Sequence, residues 1–300
     1  GQSHQQSITM RARTSIVCIN QKHQIYTEFY YNPAATRTIL LVNGSLATTA
    51  AFAHTARYLL PHFNVALYDQ PYAGGSRAHN QHDRLLERHD ESEILLELIK
   101  HFQASVLLSF SWGGIASLLA LAKRPPLIEQ AVICSFSPVI NQATLDYLKS
   151  SLDLLGRGER EDLANLVNST LGKHLPALFK RFNHKHISSL EQYEYAQMHF
   201  HIRQLLKLEG NGEKACLRDI GIPLHFINGA LDRHTTASDA REFANLVSDC
   251  SFTVIDNAGH FLDMEHKAAC QQMRTCLLDF LEPSVARPFP PSGQIRTLAN

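Results

Sequence analysis

The chain carries no surplus of either charge. Its 28 Lys and Arg are matched by 28 Asp and Glu among 300 residues, so the broad basic field of a nucleic-acid binder is excluded. No apolar run reaches the roughly 18 residues that a membrane-crossing helix needs. The six Cys (18, 134, 216, 250, 270 and 276) form no Cys-x-x-Cys pair and no zinc-like group, so buried, reduced thiols are expected. His184/His186 and His199/His201 are spaced two apart, which on a helix turns the rings away from each other, so no metal site is expected. The polar start Gly1-Gln2-Ser3-His4-Gln5-Gln6-Ser7 lacks the apolar heart of a signal peptide. No internal repeat occurs. These absences together lead us to expect a cytoplasmic protein with no nucleic-acid partner, no membrane span, no metal and no resident cofactor.

What is present is an alternation of apolar runs and helical periods. Ser15 to Asn20 and Gln24 to Tyr30 read as a hairpin around Gln21-Lys22-His23. Thr38-Ile39-Leu40-Leu41-Val42 is continuously apolar after its first residue, as in a strand covered on both faces. It stops at Asn43-Gly44-Ser45. A helix over 49–60, a strand over 64–68, a helix over 87–102 and a strand leading to Ser109 follow, then another strand over 131–136. Such alternation implies right-handed crossovers and a mostly parallel sheet. From about Val139 to Cys216 the periods are helical with no strand, and strands resume at 223–227 and 251–255, followed by a closing helix over 263–281. The expected organisation is an α/β core at 11–138 and 217–282, a helical cap at 139–216, and disordered tails at 1–10 and 283–300.

Residues 106–120 carry the chemistry. An apolar strand runs into Ser109-Phe110-Ser111-Trp112-Gly113 and then into a helix-forming segment, the strand–turn–helix that exposes a nucleophilic serine in the α/β-hydrolase fold. A turn that tight demands small residues two positions either side, here Ser109 and Gly113. Ser109 is the rival nucleophile, but Leu107 at its own flank is too bulky. The fold orders its triad as Ser, then an acid, then His. Asp232 follows the strand at 224–227 beyond a Gly turn, and His260 follows the last strand in Ala258-Gly259-His260. A serine hydroxyl barely ionises at neutral pH, so His260 must accept its proton and Asp232 must hold the imidazole. Asp239, Asp249 and Asp256 are the competing acids. Two backbone N–H groups must meet the developing oxyanion; Trp112 supplies one, and Ser45 or its neighbour Leu46 the other.

Leu41-Val42-Asn43-Gly44-Ser45-Leu46-Ala47-Thr48-Thr49-Ala50, Phe63-Asn64-Val65, residues 109–114 and His260-Phe261-Leu262-Asp263 resemble a family of bacterial enzymes. It comprises the 3-hydroxyacyl-ACP:CoA transacylases, also described as thioesterases, and the related synthases that join two 3-hydroxyacyl groups for rhamnolipids. The resemblance covers about residues 25 to 282. Tyr26-Thr27-Glu28-Phe29-Tyr30, Phe136-Ser137-Pro138-Val139-Ile140-Asn141 and residues 172–183 and 195–202 look more like the transacylases. It implies an acyl carrier protein (ACP) as donor of a medium-chain (R)-3-hydroxyacyl group, an acyl-enzyme on Ser111, and a triad of Ser111, Asp232 and His260. CoA, water or a second 3-hydroxyacyl group would be the acceptor. The first two supply polyhydroxyalkanoate precursors and the third makes the rhamnolipid ester. The transacylases' H-x₄-D element stands here as His186 to Glu191, with Glu in place of Asp. A basic stretch (Lys173, Lys180, Arg181, Lys185, Arg203, Lys207 against Glu191 and Glu194) would suit an acidic carrier protein. Leu175, Leu178, Phe179, Phe182, Phe200, Leu205 and Leu206 are expected to pack the cap core or line an acyl tunnel.

Overall fold

The computed structural model describes residues 11–207, 212–282 and 294–298. A hairpin of β1 (Arg13–Ile19) and β2 (His23–Tyr30) opens the chain. It turns through Asn20 and Gln21, both at positive φ (54° and 57°). Next come β3 (Thr38–Val42), α1 (Ala53–Leu59), β4 (Asn64–Tyr68), α2 (Arg88–Phe102), β5 (Val106–Phe110), α3 (Gly113–Ala122) and β6 (Gln130–Cys134). The chain then leaves the sheet for four helices, α4 (Gln142–Arg157), α5 (Arg160–Ser169), α6 (Ala177–Ser188) and α7 (Gln192–Leu206). After the short α8 (Gly212–Ala215) it returns through β7 (Leu224–Gly229), α9 (Ala237–Ala240), β8 (Asp249–Ile255), α10 (Lys267–Leu281) and β9 (Gln294–Leu298).

The nine strands form one sheet in the order β1-β2-β4-β3-β5-β6-β7-β8-β9. From β4 to β8 all neighbours are parallel; β2 and β9 run against them, and β1, antiparallel to β2, shares their direction. Every residue of β3 and of β7 is buried, as continuous apolar runs require when helices cover both faces. One face packs Leu40, Leu107, Ile133 and Phe226 against α2 and α3; the other packs Leu41, Leu108, Val132 and Ile227 against α1 and α10. The α/β-hydrolase architecture read from the sequence is the architecture found. The helix expected at 49–60 begins with a 3₁₀ turn at Thr49–Phe52. The closing helix starts only at Lys267, after a second such turn at Leu262–Met264.

Two expectations need correction. Disorder expected at 1–10 and over most of 283–300 lies outside the described residues, but β9 at 294–298 pairs antiparallel with β8, from Asp249 opposite Leu298 to Thr253 opposite Gln294. The edge of β8 offers unpaired N–H and C=O groups, and pairing with them needs no apolar period in the incoming segment. Cys18 is exposed rather than buried; it lies on the outermost strand, most of which faces solvent.

The four-helix insertion has its own apolar cluster, which includes Leu163, Val167, Ile187 and Tyr195 and extends to Leu46, Tyr72 and Leu86 in the core loops. Polar contacts secure the same seam. Arg77 and the buried Glu194 of α7 pair at 2.7 Å. Gln197 donates to Leu86 O (2.7 Å) and accepts from Leu86 N (2.9 Å).

Candidate active site

Ser111 follows β5 at φ 53°, the left-handed region that a non-glycine side chain enters only where its surroundings hold it there. Its N–H donates to Cys134 O (2.9 Å), and Gly114 N–H donates back to Ser111 O (2.9 Å). The crowding inferred at position 113 is specific. A Cβ on Gly113 would lie 2.6 Å from both Val42 O and Asn43 O. Ser109 belongs to β5 itself, paired with Val42 and Ile133 and fully buried, so it cannot present its hydroxyl at the turn.

The loops after β7 and β8 are laced together. Ala230 N–H donates to Ile255 O and Leu231 N–H to Ala258 O (2.9 and 2.8 Å). A Cβ on Gly229 would collide with the Ala258 and Gly259 carbonyls, so only glycine permits this approach. The lacing brings Asp232 Oδ2 within 2.9 Å of His260 Nδ1, and His260 Nε2 lies 3.0 Å from Ser111 Oγ. The structure therefore brings Ser111, His260 and Asp232 into one hydrogen-bonded line. Asp232 also accepts from the His234 and Thr235 N–H groups (2.9 and 3.1 Å) and from Thr235 Oγ1 (2.6 Å). Burial alone would raise its pKa. The charge and hydrogen bond of His260, with the Thr235 and His234 donors, outweigh that and hold it down at about 2. The carboxylate is thus held ionised beside the imidazole. Burial lowers the neighbouring His234, against the pull of Asp232.

The three competing acids sit elsewhere. Asp239 accepts from Asn141 Nδ2 (3.1 Å), Asp249 begins β8, and Asp256 is exposed. Three supporting residues had no signal in the sequence. Thr235 bonds Asp232 and lies 3.3 Å from His260 Nδ1. The buried Glu265 accepts from the N–H groups on both sides of His260, Gly259 (2.7 Å) and Phe261 (3.1 Å). Ser135 Oγ donates to His260 O (2.6 Å). Glu265 and Ser135 hold the backbone around the imidazole and Thr235 holds the Asp232–His260 pair through its hydroxyl, contacts that a single sequence does not display.

Ser45 and Trp112 flank Ser111 from two loops. Ser45 lies in the turn after β3, where Gly44 brings the backbone close: a Cβ there would sit 3.5 Å from Ser111 Cβ. Among the described residues neither the Ser45 nor the Trp112 N–H has an acceptor, which leaves both able to meet an oxyanion beside Ser111. Leu46, the alternative donor, adopts φ 61°, and its carbonyl accepts from His186 Nε2 (2.8 Å). His186 thus ties α6 to the turn beside Ser111. Glu191 does not join it. Helix α6 ends at Ser188, and Glu191 is the N-cap of α7 in a reciprocal pair with Glu194.

The Trp112 side chain is clamped separately. Its indole stacks on His201 of α7 (centroids 4.3 Å apart), and its Nε1–H donates to Glu91 Oε2 (3.4 Å). The same buried carboxylate accepts from Tyr72 OH (2.9 Å) and lies 3.3 Å from His201 Nε2. Burial, with Glu91 beside it, raises Tyr72 well above the ordinary tyrosine range. Below the Ser45 turn, Asp69 accepts from the Thr49 and Gly75 N–H groups (both 2.9 Å). Burial raises Asp69 to about 6 although both donors pull it down.

The cap residues divide. Leu175 is buried and Phe179, Phe200, Leu205 and Leu206 are half-buried. Leu178 and Phe182 are exposed (49% and 61%), which corrects their expected place in a core or tunnel. Both lie on the face of α6 opposite Ile187, the side that packs inward.

A sequence model of the alpha/beta hydrolase fold matches residues 37–267. The chain is 53% identical to the (R)-3-hydroxydecanoyl-ACP:CoA transacylase of Pseudomonas aeruginosa over 282 residues, covering 94% of each chain. It is 52% identical to that of Pseudomonas putida over 279 residues, covering 93% of this chain and 95% of the relative. Solved structures with the same fold include a bromoperoxidase from Bacillus anthracis (TM-score 0.75, 16% identity, 90% of this chain and all of that one). Another is a hydrolase from Pseudomonas aeruginosa (TM-score 0.72, 19% identity, 90% and 98%).

Proposed function

The chain belongs to the α/β-hydrolase family, in the branch of the (R)-3-hydroxydecanoyl-ACP:CoA transacylases, and from that premise we propose that it transfers medium-chain (R)-3-hydroxyacyl groups from ACP to CoA or water through an ester on Ser111. The observation that carries this reading is the continuous line Ser111 Oγ, His260 Nε2, His260 Nδ1, Asp232 Oδ2, at 3.0 and 2.9 Å.

Ser111 Oγ attacks the thioester carbonyl while His260 Nε2 takes its proton. The carbonyl oxygen becomes an oxyanion held by the Ser45 and Trp112 N–H groups. Collapse breaks the C–S bond, and the carrier thiol leaves with the proton from His260. In the second half His260 takes a proton from the incoming CoA thiol or water. The new nucleophile then attacks the ester, and Ser111 Oγ leaves with that proton. No net proton or electron is consumed. Asp232 stays charged throughout and stabilises the imidazolium in each half.

The four helices α4–α7 act as a cap that admits the acyl chain and the acceptor. Among the described residues no helix is long and apolar enough to cross a membrane, and the cytoplasm, where carrier protein and CoA meet, is the proposed compartment. The test is to incubate the enzyme with 3-hydroxydecanoyl-ACP, with and without CoA, and to identify products by mass spectrometry. Acyl-CoA with CoA present, and free acid without it, are expected, and the Ser111→Ala variant should form neither. A dimeric ester as the main product would replace this reading with the rhamnolipid-type synthase.

A further inference from the structure

Helix α6 carries its exposed residues in a single stripe. Leu178, Arg181, Phe182 and Lys185 stand at i, i+3, i+4 and i+7, and all four are exposed. Phe182 and Leu178 are the most exposed Phe and Leu among the described residues. Single exposed apolar residues are ordinary on a protein surface, but two on adjacent turns, flanked by cations, make the apolar centre and charged rim of an interface.

The opposite side of α6 packs inward through Ile187 and is tied to its neighbours. Asn168 of α5 donates to Lys180 O and accepts from Asn183 Nδ2 (both 2.8 Å). Phe179 meets His54 edge-on at 6.0 Å, and His186 reaches Leu46 O in the turn beside Ser111. The stripe is therefore the outer surface of the helix whose inner surface covers the reaction centre. Neither Arg181 nor Lys185 has a carboxylate partner among the described ion pairs.

We propose that Leu178, Arg181, Phe182 and Lys185 form the docking surface for the acidic acyl carrier protein, the two apolar side chains seated between its helices and the two cations against its carboxylates. This rests on the carrier being the acyl donor. It adds which face of the enzyme the carrier meets and why a carrier-borne acyl group would be preferred to the same group on a small thiol. Charge complementarity of this kind acts through encounter and register, so its effect belongs in kcat/KM for the carrier substrate and weakens with salt.

The experiment compares the full-length enzyme with two double variants, Arg181→Glu/Lys185→Glu and Leu178→Ser/Phe182→Ser. Each is assayed on 3-hydroxydecanoyl-ACP and on the same acyl group carried by N-acetylcysteamine. For each variant the ratio of kcat/KM between carrier and small thioester is expected to fall by roughly 30-fold or more, with the wild-type ratio falling as salt rises. A ratio within twofold of wild type in both variants would overturn the proposal. Should the wild type act on the small thioester but not on the carrier substrate, the donor assignment fails instead. The surface is then judged by fluorescence anisotropy of labelled apo-carrier, where no binding, or equal binding by wild type and variants, sinks it. Sedimentation with phosphatidylglycerol–phosphatidylcholine vesicles, and self-association of the enzyme, cover the other occupants. Variants that lose either of these while binding carrier normally would assign the stripe to a lipid surface or to a second copy of the chain, and so refute it.

Discussion

Replacing Glu91 by Ala should destabilise the protein and release its tryptophan. The carboxylate is buried in α2 and gathers Tyr72 OH (2.9 Å), His201 Nε2 (3.3 Å) and Trp112 Nε1 (3.4 Å) from three other parts of the chain. Tyr72 and His201 are buried too, 3% exposed each against 1% for Glu91. A buried polar group left without its partner costs about 1–3 kcal/mol. Tyr72 OH is left so, while His201 Nε2 keeps Gln197 Nε2 at 2.8 Å; together with the vacated volume this outweighs the desolvation relieved by removing the charge. The net loss is on the order of 2 kcal/mol, or about 4–8 °C in melting temperature for a domain of this size. Glu91→Gln keeps the volume and one acceptor oxygen, and about 1 kcal/mol is expected. Trp112 is the single tryptophan in the chain, so its emission reports on the clamp without labelling. His201, stacked at 4.3 Å, is expected to quench the indole, so the Ala variant should be brighter. Thermal unfolding followed by circular dichroism and by Trp112 emission measures both effects. An Ala variant that melts within 2 °C of wild type, with unchanged emission, would refute the idea that Glu91 holds the two rings.

Asp232→Asn should leave the fold intact and lower the acyl-transfer rate by roughly 10⁴-fold, because the amide stabilises the wrong tautomer of His260; single-turnover acylation of Ser111 measures it. Gly113→Ala drives a Cβ to 2.6 Å from two backbone oxygens and should unseat the turn, with a loss of several kcal/mol in urea unfolding on the scale of backbone strain. Asp69 predicts a pH effect. Its folded pKa of about 6 stands above the 3.8 of the unfolded chain, so the folded state binds the extra proton and stability falls as pH rises from 4 through 6. The difference is worth on the order of 3 kcal/mol. Urea unfolding at pH 4.5 and pH 7.5 should show wild type losing stability relative to Asp69→Asn across that interval, and parallel curves would disprove the assignment.

The sheet was legible because β3, β5, β6 and β7 are short apolar runs that each stop at small or polar residues, a pattern strands covered on both faces must produce. The same punctuation marks Ser111, Asp232 and His260, which each follow a strand. Residues whose role depends on a neighbour's backbone gave no such sign. Glu265 reaches two N–H groups around His260, and Thr235 sits in the turn that presents Asp232; both read as ordinary polar residues. Helical spacing places Leu178 and Phe182 on one face of α6 but does not say which face turns inward, so their exposure had to come from coordinates. For β9, backbone pairing alone suffices at the sheet edge, and no side-chain pattern announces it.

The three groups in line at the reaction centre come from turns behind three different parallel strands, and the imidazole arrives behind the last of them. A chain emerging from the ribosome therefore cannot acylate itself prematurely. Its serine stays inert until the segment from β7 to His260 has folded against the rest. Catalytic competence in this enzyme is thus also a report that the sheet has assembled as far as the turn behind β8.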